Sequence, residues 1–164
     1  MVIMLKFIYT IFIGVLFATL VGVGIAAFYQ SPKAPEYPVT TRFETPERPQ
    51  SEAEMQKVEA QQAKYDQEYK KFQEQEQVYN RNVSVLSLVI AIVALVISLT
   101  LFKTLYIIAD GLMLGGVLTL VYSIIRGFAT EDNMFRFVVV AIGFVVAVAL
   151  GYIKFVPKPD KVKK

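Results

Sequence analysis

The chain contains neither cysteine nor histidine in its 164 residues. Disulfides, thiolate nucleophiles and thiolate or imidazole metal sites are therefore excluded. The usual nucleophile–base pairs of covalent catalysis go with them, and no motif supports an arrangement of Ser, Lys or Tyr in their place. Proline is nearly confined to one stretch, with five of seven falling between residues 32 and 49. From Ser51 to Phe102 the sequence has no glycine and no proline. Charge is the most informative shortage. It is missing from residues 7–29 and 83–102, and residues 105–126 and 135–156 carry only Asp110, Arg126, Arg136 and Lys154.

Those four apolar runs each hold about 20 residues or more, enough for a helix to cross the roughly 30 Å hydrocarbon layer of a bilayer. They predict an integral membrane protein with four spans. The first run exceeds the apolar core of a removable signal peptide, and Lys6 is its only preceding basic residue. It reads as an uncleaved signal anchor, although Gly24 and Ala26 resemble cleavage-site residues. The expected organisation is a first span at 1–29, a proline-rich extended segment at 30–50 and a polar stalk helix at 51–82. Three further spans at 83–102, 105–126 and 135–156 and a basic tail at 157–164 complete it.

Charge follows the same division. Residues 30–82 hold eight basic and ten acidic side chains, a difference of −2. The tail sets Lys158, Lys161, Lys163 and Lys164 against Asp160 alone. A short, nearly unopposed basic tail favours the cytoplasmic side, whereas long loops translocate largely regardless of charge. Both termini are expected in the cytoplasm and the stalk outside it. The tail's chemistry suits anionic lipid rather than nucleic acid.

Pro32, Pro35 and Pro38 recur every third residue, the period of polyproline II, and form a ridge on one face. Pro46 and Pro49 repeat the spacing. Ser51 with Glu54 makes a capping box, and Glu52 and Glu54 suit the positive end of the helix dipole. The spacing predicts one helix running from there through the second span, about 75–80 Å long. A seam along its polar part joins Met55, Val58, Gln62, Tyr65, Tyr69, Phe72, Glu76, Tyr79 and Val83, in steps of three and four. That is heptad spacing, but aromatic and polar where a strong coiled coil has Leu and Ile. Three arrangements stay open: the seam meets a second chain, it packs on the proline segment, which would lay Pro35, Tyr37 and Pro38 against Tyr65, Tyr69 and Phe72, or the segment is a loose solvated loop. The fold class expected is therefore all-α, a four-transmembrane-helix bundle with a long stalk continuous with the second span and a proline-rich strand packed against it.

Small residues recur at packing intervals in every span: Gly14, Ala18, Gly22 and Ala26 in the first, and Ser84, Ser87, Ala91, Ala94 and Ser98 in the second. The third has Gly111, Gly115, Thr119, Ser123 and Gly127, and the fourth Gly143, Ala147 and Gly151. Such ladders let helix backbones approach closely in lipid. Asp110 is the ionisable residue set inside a span, and Lys154 lies at a similar depth on the fourth. An intramembrane charge is normally paired, so Asp110–Lys154 is the expected couple, with a proton- or ion-coupling role for Asp110, or a solvated acid in the first turns of the helix, as the alternatives. In the hairpin at 126–133, Thr130 or Asn133 is placed to start the last helix, and Arg126 and Arg136 are expected to pair with Glu131 and Asp132.

Two motifs mislead. Asn82-Val83-Ser84 matches a glycosylation acceptor but sits at a span boundary, and residues 111–116 are glycine-rich without the Lys-Ser/Thr of a phosphate loop. The stretch Phe28-Tyr29-Gln30-Ser31-Pro32-Lys33-Ala34-Pro35-Glu36-Tyr37-Pro38, with the four-span pattern, resembles uncharacterised small four-span membrane proteins of bacteria. That resemblance implies a membrane location and no activity. No cofactor or metal and no enzymatic function is expected. The functional expectation is a structural or accessory subunit whose stalk meets a protein partner or a second copy. A transporter or channel component using Asp110 is the other reading.

Overall fold

The computed structural model describes residues 2–37, 52–101 and 104–156. Among them the chain is all-helical, with α1 (Val2–Phe28), α2 (Glu52–Leu101), α3 (Tyr106–Phe128) and α4 (Asn133–Phe155), and no strand. All four helices include a window long and apolar enough to cross a membrane. The chain divides into two compact units, Met1–Tyr29 with Asn80–Lys164, and Gln30–Tyr79.

The first unit is inverted relative to a water-soluble core. Its large apolar side chains point outward: Leu20, Ile125 and Phe144 are 70, 62 and 68% exposed. Its interior is built instead from small and hydroxyl-bearing residues, including Ser84, Ser87, Ala91, Ser98, Ala109, Thr119 and Ser123, all nearly inaccessible. In water that distribution would forfeit the hydrophobic effect, whereas in lipid the outer surface is solvated by acyl chains and close helix packing becomes the cohesive term. The four helices thus have the makeup of a multi-pass membrane protein.

α3 is the helix on which the others converge. Against α1 the register advances in the same direction on both helices. A Cβ on Gly111 would lie 2.7 Å from Ile13 and 3.2 Å from the Thr10 carbonyl, and one on Gly115 would lie 3.0 Å from the Gly14 carbonyl. The two helices are therefore parallel, as first and third spans of an up-and-down chain must be. Against α2 the direction is opposite. Gly116 sits against Leu95, Ser84 against Ser123 and Ser98 against Ala109. α4 is antiparallel to α3 as well, with Gly143 beside Leu120 and Ile124 at one level and Lys154 beside Asp110 at another. A cluster of Leu88, Ala91 and Leu95 with Leu120, flanked by Ile92, Met113, Ile124, Val146 and Leu150, fills the space among α2, α3 and α4.

The α3–α4 connection differs from expectation. Asp132, rather than Thr130 or Asn133, is the N-cap of α4, its carboxylate accepting from the Met134 and Phe135 amides at 2.9 and 3.2 Å. Thr130 instead returns its hydroxyl to the Gly127 carbonyl at the end of α3. An acid at the cap satisfies amides that have no intrahelical partner and meets the positive end of the dipole, worth about 1 kcal/mol. Arg136 turns to the Thr130 carbonyl (2.7 Å) and Asn133 rather than to an acid. Arg126 reaches Tyr122 and, across to α2, Asn80 Oδ1 at 3.0 Å.

In the second unit, residues 31–37 form neither helix nor strand. Tyr37 meets Tyr65 edge to face with ring centroids 5.0 Å apart. Tyr65 stacks on Tyr69 at 5.9 Å, and Tyr69 meets Phe72 in a tilted contact at 6.1 Å, so the ring contacts run along one face of α2. Pro32 and Pro35 are half-buried. Pro38, the Ser51 cap and the lysine tail lie outside the described residues.

Candidate functional site

Lys154 Nζ donates to Asp110 Oδ1 at 2.7 Å. Asp110 is the fifth residue of α3 and Lys154 the last but one of α4. Antiparallel packing brings the start of one helix to the end of the other, which is why residues 44 apart in sequence meet. Four residues of rise place the carboxylate about 6 Å along the axis from the start of α3. The two side chains keep 33 and 20% of their surface exposed. A charge near the end of a span costs far less than one at the bilayer centre, and pairing offsets part of the desolvation cost of each partner. Lys154 also approaches Met113 Sδ at 3.7 Å, a weak acceptor.

From this pair a groove of about 310 Å³ runs between α3 and α4. Met113, Leu114 and Val117 line one wall and Ala147, Leu150 and Gly151 the other. With the charged pair at its end, each wall follows the i, i+3, i+4, i+7 spacing of one helix face. Gly151 opens it: a Cβ there would meet nothing within 4 Å. On α1 the Lys6 ammonium lies 5.3 Å above the Tyr106 ring, at the same end of α3 as the pair.

The residues expected to pack helices divide by environment. Gly14, Gly111, Gly115 and Gly143 stand where an added Cβ would press on a neighbouring helix, whereas Gly22 and Gly151 face open space. Ala18 is half-buried, and Ala26 and Ala147 are exposed. Gly116 is as tight as the others, since a Cβ there would lie 2.8 Å from the Leu95 side chain. Sequence spacing passes it over because it lies one residue off the Gly111–Gly115 row, facing α2 while that row faces α1. In the seam, Tyr65, Tyr69 and Phe72 share the ring contacts described above, and Tyr79 is buried.

The polar side chains of the interior are consumed by helix contacts. Ser84 Oγ donates to the Ser123 carbonyl at 2.8 Å, and Ser123 Oγ returns a bond to the Ser84 carbonyl at 2.7 Å. Ser98 Oγ donates to the Ala109 carbonyl at 2.6 Å, a second clasp between α2 and α3. Ser87 and Thr119 bond carbonyls of their own helices. No buried side-chain nitrogen or oxygen among the described residues lacks a partner. Interhelical hydroxyl bonds of this kind average about 0.6 kcal/mol and reach about 1.7. Ser84→Ala should therefore lower the stability of helix packing by about that range in a detergent-denaturation titration. Thr100→Ala, which removes an exposed hydroxyl bonded within α2, should change it by no more than about 0.5 kcal/mol.

Near the other end of α3, Asn82 Nδ2 donates to the Tyr29 hydroxyl at 2.9 Å, joining the end of the first span to the second. That contact and the Arg126–Asn80 bond have no periodic signal, since each involves a single polar residue at a span boundary. Among the described residues no three metal-ligating side chains converge. No protein-family model, curated protein or solved structure matches the chain.

Proposed function

We propose that the protein is a non-catalytic structural or accessory subunit of a membrane, whose polar segment outside the spans binds a protein partner or a second copy. The supporting observation is where the polar chemistry of the spans has gone. Buried hydroxyls are held by carbonyls, and the one intramembrane acid is neutralised near a helix end. A transporter needs polar groups near the midplane to receive its substrate, and an Asp110 held by Lys154 near a helix end is poorly placed for ion coupling.

In this reading α2 continues as one rod from its span into the stalk. The proline run lies along the aromatic row, with Pro32 and Pro35 beside Tyr37, and the face rich in Gln, Glu and Lys meets the partner. The termini are cytoplasmic, the stalk is extracytoplasmic, and the lysine tail adds attraction to anionic lipid of about 1 kcal/mol per Lys.

Orientation and partner are tested together in intact cells. A cysteine at Gln67 should react with an impermeant thiol reagent, while one at Lys163 should not; the reverse pattern would place the stalk in the cytoplasm. Photo-crosslinkers at the exposed Gln67 and Gln73 should yield a discrete adduct of constant mass. A smear of random products, unchanged by substituting the neighbouring charged residues, would show a passive loop.

A further inference from the structure

We propose that the groove between α3 and α4 is a binding site for a phospholipid with a zwitterionic, primary-amine headgroup, one acyl chain lying in the groove and the headgroup on the Asp110–Lys154 pair. The inference is independent of what the stalk binds.

Three observations carry it. The first is the shape and lining. The charged residues occupy one end of a continuous apolar channel between two membrane helices. From Asp110 to Val117 it extends about 10 Å along α3, or two thirds of the roughly 15 Å hydrocarbon depth of one leaflet. Its volume of about 310 Å³ falls at the lower limit of ordinary small-molecule sites.

The second is depth. The pair sits about one helical turn inside the start of α3; with that helix end at the membrane surface, this is the level at which headgroups give way to acyl chains. A chain anchored at that level enters the groove from its charged end and leaves its headgroup beside the pair.

The third is charge complementarity. Among the described residues that line the groove, the charged groups are one carboxylate and one ammonium. A lipid phosphate alone would suit the charge of Lys154 but oppose that of Asp110. A zwitterion with an N–H-bearing ammonium satisfies both, its phosphate accepting from Lys154 Nζ and its amine donating to the Asp110 carboxylate. The phosphate would take over from Met113 Sδ, a poor acceptor at 3.7 Å. The Asp110 carboxylate, bonded by Lys154 through Oδ1, keeps a third of its side chain exposed for a second donor. A quaternary choline headgroup carries the charge but cannot donate that hydrogen bond.

Native mass spectrometry of the full chain, extracted into mild detergent with matched acyl chains of phosphatidylethanolamine, phosphatidylcholine or phosphatidylglycerol, tests the site. Phosphatidylethanolamine should be retained about tenfold better than phosphatidylcholine, the factor expected for one charge-assisted hydrogen bond. Gly151→Leu fills the groove where the wild-type chain has open space, so it should fold normally and lose the adduct. Asp110→Asn leaves the ammonium unopposed and should shift the preference towards phosphatidylglycerol. Equal retention of the three lipids, or an adduct undiminished by Gly151→Leu, would overturn the assignment. So would a dimer that Gly151→Leu dissociates, because the groove would then belong to a second copy.

Discussion

Gly115→Leu is expected to be the most disruptive single change in the helical bundle. A Cβ at that position would stand 2.9 Å from the Phe17 side chain and 3.0 Å from the Gly14 carbonyl oxygen. Phe17 has rotamers to try, but a backbone carbonyl within a helix moves only if α1 moves. Overpacking typically costs about 1–3 kcal/mol where side chains absorb it, and here the backbones must separate, so a loss at or above the upper figure follows. Separation would also release the neighbouring contacts of Gly111 on Ile13 and Thr10, because both glycines sit on the same face of α3. Gly22→Leu is the control, since nothing lies within 4 Å of its Cβ position. Denaturation in a fixed detergent should show a large drop in the midpoint for Gly115→Leu and little change for Gly22→Leu. Equal effects would mean that α1 does not pack on α3 in this register.

Asp110→Asn should come next. Removing one member of a fully buried pair costs about 3–5 kcal/mol because the remaining charge is stranded. Here the side chains are 33 and 20% exposed, so Lys154 can turn partly outward and about 1–2 kcal/mol is expected once that screening is allowed for. Lys154→Met alone should cost a similar amount. The double variant should recover part of the loss, since neither charge is then left without a partner. The double-mutant cycle in the same detergent gives the coupling directly. Strictly additive losses would show that the two side chains stabilise the bundle separately, and would revive a coupling role for the acid.

The pair and the loop beyond α3 show how unevenly the site is legible in the sequence. Asp110 and Lys154 are matched by counting each residue's distance from its span end, a calculation that works because membrane helices have a nearly fixed rise and up-and-down order. Nothing comparable applies at the hairpin. Thr130, Asp132 and Asn133 are all good caps by chemistry, and the choice depends on which residue has extended backbone where the chain turns. Asp132 does, at φ −79° and ψ 103°, while Thr130 closes the end of α3, its amide and hydroxyl both donating to the Gly127 carbonyl. Arg136 then turns to carbonyl and amide oxygens instead of the nearest acid. Charge proximity in sequence is a poor guide there, since Asp132 serves as the cap and Arg136 finds carbonyl and amide oxygens within reach.

The ladders of small residues illustrate the same limit. Their spacing marks faces on which helices are able to approach, and by itself cannot assign a neighbour to any of them. Gly22 and Gly151 belong to the same rows as Gly14 and Gly143 and yet face open space. Gly116, outside the rows, is among the most crowded positions. Crossing of two helices brings only a few turns into contact, so a regular row is used over part of its length.

Legible in the one-dimensional pattern are the solvent and the order of parts: four apolar runs, each a helix, and one long polar insertion with its prolines at the start. Those follow from local composition and a fixed rise per residue. It took the packed structure to show that α3 is the common partner, that Ser84 and Ser123 exchange bonds, and that a groove lined by Gly151 runs from the Asp110–Lys154 pair between α3 and α4. Lipid solvates all apolar faces alike. Hydrophobicity places a helix in the membrane, but the choice among its faces rests on contacts of a few tenths of an ångström, which no one-dimensional pattern carries.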